Sequence, residues 1–307
     1  MKIGRKAVVT DTGRRRLGNE DAYVFEPPLF AIADGMGGAR AGEIAAGLAA
    51  TALEESGAET RGPADVAALI TDANRRIWER SLADPATAGM GTTVTVALVD
   101  APAGTIAFGH VGDSRAYRMR DGTLEQLTTD HSLVAELVES GILTPEEAER
   151  HPQRSAITRA LGTEPAVDAD IFTLDGAPGD LFLLCSDGLS DMLTEDEIAA
   201  AIASAGHDPV AAGRALVAAA NANGGEDNIT VVLFELVGDE EAVEEAEATE
   251  DPSSRSAVSD KPQDDAGAPK GPLRRHGAGP GGRLAALLFL AIVLGVAVVL
   301  LYWGINR

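Results

Sequence analysis

The sequence predicts an α+β fold of layered sheets and helices rather than a doubly wound parallel sheet. Three observations lead there. Residues 1–237 carry many short β-branched or apolar runs, cut by Gly, Pro, Asn and Asp. Helical spacing of Ala and Leu comes in groups, over 43–55 and 64–82 and again over 194–204 and 209–222, with blocks of strands between them. A parallel βαβ protein would alternate instead. From residue 238 onward both periodicities stop and a different composition begins.

Length and composition set the outer bounds. A chain of 307 residues suffices for one large domain or two ordinary ones. Aromatics are scarce while Ala and Gly abound, so the core is built from Ala, Val, Leu and Ile. The formal charge of −23 excludes a nucleic-acid partner, and no basic stripe in the first 235 residues reverses this. A single cysteine, Cys185, rules out an intramolecular disulfide and fits a reducing compartment. It ends an apolar run from Leu181, which makes it a small core residue rather than a reactive thiol. The segment from Met1 to Lys6 lacks the apolar centre of a signal peptide.

In order, residues 6–12 predict a first strand, and the basic turn Arg14-Arg15-Arg16 follows. Residues 22–25 and 29–33 predict a strand pair around Pro27-Pro28. After the two grouped helices, 92–99 and 105–111 are β-branched strands, and 116–120 pairs with 124–127 across Asp121-Gly122 as a hairpin. Two short helices follow, 132–140 and 145–150. The second opens on Thr144-Pro145-Glu146-Glu147, which has an N-cap Thr, a Pro at the first helical position and a Glu at the third. The section 130–165 is less apolar than its surroundings and predicts a mobile flap; residues 151–155 within it suggest no chemistry. A buried strand at 180–185, a capping-box start at Thr194 and a final strand at 229–235 complete the domain.

Residues 238–283 lose the pattern. They are acidic and Ala-rich, then rich in Pro, Gly, Ser and charge, and predict a disordered linker. Residues 284–303 are twenty apolar residues without a charge. At a rise of about 1.5 Å per residue they match a hydrocarbon core of roughly 30 Å, so one C-terminal transmembrane helix is expected. Tyr302 and Trp303 form its interfacial end, and 304–307 is an extracytoplasmic tail. Lys270, Arg274, Arg275 and Arg283 precede the span and only Arg307 follows it, so the positive-inside rule puts residues 1–237 in the cytoplasm, on the inner face of the cell membrane.

Chemistry concentrates in acidic stretches at the edges of strands: Glu20-Asp21, Asp34-Gly35-Met36-Gly37-Gly38, Gly112-Asp113-Ser114-Arg115, Asp187-Gly188 and Asp227-Asn228. One Asp-Gly is ordinarily a turn. Several carboxylates ending apolar strands are costly unless a cation compensates them. Carboxylate, carbonyl and water ligands suit Mg²⁺ or Mn²⁺, and the five scattered histidines form no zinc spacing. Paired hard cations serve phosphoryl transfer well. No Ser-His-Asp order, reactive Cys or phosphate-binding Gly-rich loop competes.

The ordered series Arg16, Glu20-Asp21, Asp34-Gly35-Met36-Gly37-Gly38, Gly91-Thr92-Thr93, Gly112-Asp113-Ser114-Arg115, Ser186-Asp187-Gly188-Leu189 and Asp227-Asn228-Ile229-Thr230 resembles the metal-dependent protein phosphatase (PP2C) family, in the right order over about 5–236. It is most similar to bacterial membrane-anchored Ser/Thr phosphatases that oppose Ser/Thr protein kinases. The resemblance implies a central β-sandwich of two antiparallel sheets flanked by helices, with metals at one end. It implies that Asp34 bridges two ions, with the Gly35 carbonyl on one, and that Asp187 and Asp227 complete the other. Asp113 joins Asp187 in a weaker third site, Glu20 and Asp21 hold metal-bound waters with Asn228 beside them, and Arg16 grips the substrate phosphate. The implied reaction is hydrolysis of phosphoserine and phosphothreonine in proteins by direct attack of a metal-bridging hydroxide, without a phospho-enzyme. Where eukaryotic relatives carry a His after Asp-Gly, this chain has Met36, which leaves protonation of the leaving oxygen to another source. Two other readings are a small-molecule phosphatase and an inactive, membrane-tethered binding module; the latter predicts missing metal carboxylates, and none is missing.

Overall fold

The computed structural model describes residues 1–37, 41–57, 60, 62–148, 150–239 and 247–250. Most of the expected linker, the expected span 284–303 and the tail 304–307 lie outside the described residues. No helix among the described residues is long and apolar enough to cross a membrane.

Two six-stranded sheets form the centre of the domain. The first holds β1 (Lys2–Asp11), β7 (Arg115–Arg120), β8 (Thr123–Gln126), β10 (Leu181–Cys185), β11 (Ile229–Val237) and a short β12 (Glu247–Glu250), in the order β12-β1-β11-β10-β7-β8. The second holds β2 (Asp21–Glu26), β3 (Leu29–Met36), β5 (Val94–Asp100), β6 (Thr105–Val111) and β9 (Asp170–Asp175), in the order β2-β3-β5-β6-β9, with β4 (Gly91–Thr92) paired to the end of β3. Every pairing is antiparallel except β12 on β1.

Helices α1 (Ala41–Gly57) and α2 (Pro63–Ala83) cover the second sheet, and α6 (Glu195–Ser204) and α7 (Pro209–Ala222) cover the first. The layers therefore run α-β-β-α, as the grouped helical periodicities predict. Three clusters fill the gaps. Ala45, Ala46, Ala49 and Ala52 of α1 let that helix lie close on its sheet, and Leu216 and Val217 of α7 do the packing on the other side. Between the sheets, Phe30 stacks on Phe234 at 4.4 Å, Phe234 on Phe182 at 5.1 Å, and Phe182 tilts against Phe108 at 6.0 Å. All four rings are fully buried, and each contributes about 1.5–3 kcal/mol through area removed from water. Cys185 is fully buried, and burial pushes its thiol up to about 12, in keeping with a core role.

Two capping boxes form as the sequence predicts. Thr194 Oγ1 accepts from Glu197 N–H at 3.3 Å while Glu197 Oε2 accepts from Thr194 N–H at 2.9 Å. The same reciprocal pair joins Thr144 and Glu147 at the start of α4 (Pro145–Ala148).

Three differences from expectation have physical causes. β1 starts at Lys2, ahead of the apolar run, because its early residues pair with the end of β11 through a register shift between Ile3 and Lys6. β9 carries no strand signal in the sequence because it is an edge strand with no buried residue and an acidic residue at each end. Residues 247–250 pair with the open edge of β1 inside the stretch expected as linker, since an edge strand offers unpaired N–H and C=O groups to a passing segment.

Candidate metal centre

Antiparallel registers gather the acidic stretches at one end of the sandwich. Asp21, at the start of β2, stands opposite Asp34, near the end of β3. Cys185 ends β10 opposite Arg115 at the start of β7 and Val231 near the start of β11, and Thr10 near the end of β1 faces Thr230. Loop residues just beyond these ends therefore meet over the sheets. They line a cavity of about 420 Å³ whose walls include Arg16, Glu20, Asp34, Asp113, Asp187 and Asp227.

The backbone of Asp34 is fixed from three sides. Its N–H donates to Thr93 Oγ1 at 3.1 Å, and its carbonyl accepts from Thr93 N–H at 2.9 Å and Thr92 Oγ1 at 2.8 Å. Gly35 must be glycine because a Cβ would fall 2.3 Å from the Gly42 carbonyl oxygen. Asp187 begins α5 (Asp187–Ser190), a single turn directly after β10. Burial raises the Asp34 and Asp187 carboxyls well above the usual range, and their neighbours add to it: Asp187 repels Asp34, and Asp113 repels Asp187. Asp113 is buried and pushed up to about 7 by burial, then by Asp130 and Asp191. Burial also raises Glu20, against the pull of Arg16.

Asp21 and Asn228 stand behind the pocket rather than in its wall. Asp21 Oδ2 accepts from Ser186 Oγ at 2.9 Å and Thr230 Oγ1 at 2.6 Å, and burial sets its carboxyl at about 6. The Asn228 amide is occupied by backbone: Oδ1 accepts from Glu20 N–H at 2.7 Å, and Nδ2 donates to Thr12 O at 3.0 Å and Gly18 O at 2.9 Å. Asn228 thus holds the loop that presents Arg16 and Glu20. Arg16 Nη2 reaches Asp227 Oδ2 at 2.5 Å, which aims the guanidinium at the pocket mouth. Desolvation alone would lower the Arg16 pKa, and Asp227, Glu20 and Asp187 together raise it.

Whether a cation fits is answered by the carboxylate oxygens. Asp21 Oδ1, Asp113 Oδ1 and Asp187 Oδ1 are buried with no hydrogen-bond partner. Such orphans are costly, and three together call for a positive charge. Asp113 and Asp187 line the cavity, with Asp21 behind its wall, and their donors are oxygens, which suits a hard divalent ion. Among the described residues no three His, Cys, Asp or Glu side chains close on a single point.

The cavity also contains residues to which the sequence assigned no role. Asp191 follows Asp187 by one helical turn, a spacing that could have revealed it. Glu226 precedes Asp227 and pairs with Arg15 at 3.1 Å. Arg154 and Ser155 come from the expected flap, where no local signal marks them. Met36 lines the wall. His110 is a fully buried core residue bonded to Thr95 Oγ1 at 2.9 Å.

An antiparallel sandwich between two helical layers, with unpaired carboxylates and two arginines at its end, defines an α+β protein with an anion-facing, cation-seeking site. The protein phosphatase 2C family profile matches residues 14–222, and the chain belongs to that family. It is 39% identical over 238 residues to the serine/threonine protein phosphatase PstP of Mycobacterium tuberculosis, covering 76% of this chain and 45% of that protein. The chain thus spans about half the length of that relative. It is 39% identical over 245 residues to the serine/threonine phosphatase stp of Listeria welshimeri, covering 74% of this chain and 93% of that protein. Among solved structures, that of the Mycobacterium tuberculosis PstP/Ppp phosphatase superposes with a TM-score of 0.72 at 38% identity, over 77% of this chain and all of the other. The PstP catalytic domain in complex with two manganese ions superposes with a TM-score of 0.71 at 36% identity, over 77% and 99%.

Proposed function

We propose that the chain is a protein serine/threonine phosphatase of the metal-dependent type, active on phosphorylated proteins. The observation that carries this reading is the convergence of unpartnered buried carboxylate oxygens with Arg16 in one open cavity. The named phosphatase relatives support it.

Asp34, Asp187, Asp227 and the Gly35 carbonyl would hold two divalent cations, Mn²⁺ or Mg²⁺, with Asp113 toward a third. Bound there, the cations would lower the pKa of water and offset charge on the transferring phosphoryl group. The chain's own groups do the rest. Arg16, aimed by Asp227, offers planar N–H donors that match two phosphate oxygens. Thr92 and Thr93 fix Asp34 so that its carboxylate need not reorganise when charge develops. Asn228 and Asp21 hold the loops that carry Arg16 and Asp187 in register. The Met36 thioether has no proton to give, so the seryl or threonyl oxygen is protonated from solvent or another group.

Asp187→Asn should lower Mn²⁺-dependent phosphate release from a phosphothreonine peptide by about 10²–10³-fold or more, as loss of a key electrostatic group does. Full activity in a folded variant would sink the assignment.

The span 284–303 supports a membrane tether, with the catalytic domain on the side of Lys270, Arg274, Arg275 and Arg283. A tether raises the effective concentration of membrane-bound substrates, of which Ser/Thr protein kinases are one class. In inside-out vesicles, protease should remove the catalytic domain and spare a C-terminal tag. The reverse pattern would refute this topology.

A further inference from the structure

Asp113 hangs from a turn whose geometry is set by a residue far from it in sequence. Gly112 takes φ +115°, and a side chain there would strike Thr93, so the turn requires glycine and has no side chain of its own to anchor it. Both backbone polar groups of Gly112 end on His131. Gly112 N–H donates to His131 Nδ1 at 3.1 Å, and His131 N–H donates to Gly112 O at 2.7 Å. A backbone N–H can only donate, so Nδ1 is the acceptor and a neutral ring carries its proton on Nε2.

The other face of the ring meets the base of the flap. His131 Nε2 lies 3.3 Å from Asp170 Oδ2, and Arg159 Nη1 donates to Asp170 Oδ1 at 3.0 Å. His131 O accepts from Thr158 N–H at 2.8 Å, and Ser132 bridges to Ile157. The ring is 3% exposed and packs against His110 at 4.8 Å between centroids. Burial lowers its pKa, in keeping with the acceptor role that the Gly112 N–H assigns to Nδ1. His131 therefore joins the Asp113 turn and both stems of the 131–158 segment into one hydrogen-bonded unit.

We propose that His131 is a positioning residue for Asp113, holding the Gly112-Asp113 turn through Nδ1 and N–H so that cation affinity at Asp113 depends on this imidazole. The proposal rests on the reading of Asp113 as a cation ligand. Partners that orient a ligand are worth about 10–100-fold in metal affinity, and His131 stands in that relation to Asp113 through the Gly112 peptide.

The test is Mn²⁺ binding by the full-length chain, followed by the electron paramagnetic resonance of free Mn²⁺, with no substrate present. Asp113→Asn should weaken the loosest Mn²⁺ site. His131→Leu should weaken the same site by about 10–100-fold. His131→Asn, whose Oδ1 falls near the place of Nδ1, should recover most of that loss. Nitrogen-15 spectra of the wild-type imidazole should show a bare Nδ1 and a protonated Nε2. A folded His131→Leu with an unchanged isotherm, or a proton on Nδ1, overturns the proposal. Should the Leu variant not fold, the Asn variant and the imidazole spectrum decide the matter. An unchanged isotherm in Asp113→Asn overturns the ligand reading of Asp113 itself, which separates that failure from failure of the positioning role.

Discussion

Asp34 directly follows the five buried residues that open β3, and three hydrogen bonds lock its backbone. Across the same cavity, Arg154 and Ser155 sit on a segment whose two helices, α3 (Leu133–Glu139) and α4, bury no side chain at all. α3 is nonetheless apolar, and Ile142 beyond it is 67% exposed. One wall of the site is built on the sandwich and the other on a segment with little burial to hold it. Local stability follows buried apolar contact, so the two walls should differ in how readily they open. Chemistry that needs fixed charges belongs to the first wall, and admission of a protein-sized substrate suits the second.

The largest expected effect tests the packing side of this contrast. Phe234→Ala removes the ring that stacks on both Phe30 and Phe182, and should cost about 3–5 kcal/mol in urea denaturation. Leu137→Ala in α3 should cost under about 1 kcal/mol, because its side chain is only partly buried. Equal losses would erase the distinction.

The next effect is a pH dependence of the metal-free protein. His110 is buried beside His131, which holds its pKa down to about 4. The unfolded imidazole binds its proton near 6.5, so the unfolded state gains protons first as pH falls and stability drops between about 6.5 and 4. The expected loss is on the order of 3 kcal/mol, read from denaturation midpoints across that range. Asp21 and Asp113 act with the opposite sign. Their folded pKa values, about 6 and about 7, lie above the usual carboxyl range, so stability falls as pH rises past them. Mn²⁺ should therefore raise the melting temperature more at pH 8 than at pH 6, since it replaces the protons those carboxyls would hold. A pH-independent increment would argue against carboxylate ligation.

The smallest expected effect lies on the flap. Ile142→Ser should change stability by no more than about 0.5 kcal/mol. If the flap meets protein substrates, the same variant should raise KM for a phosphoprotein while leaving a short phosphopeptide unaffected. Parallel changes for both substrates would place Ile142 outside recognition.

The sequence alone settled a good deal. Local signals carry the α+β class, the grouped helices, both capping boxes and the carboxylates Asp34, Asp113, Asp187 and Asp227, because side-chain periodicity and an Asp beside an apolar strand run are short-range patterns. The tertiary structure alone decided the partners. Asn228 binds the peptide N–H of a residue 208 positions away, His131 holds a turn 19 positions back, and Arg154 enters the cavity only because the chain reverses between β8 and β9. β9 itself reads as polar because it lies at a sheet edge. These contacts follow from strand register, which pairs residues by geometry across the sheet rather than by proximity along the chain, and no local pattern records it.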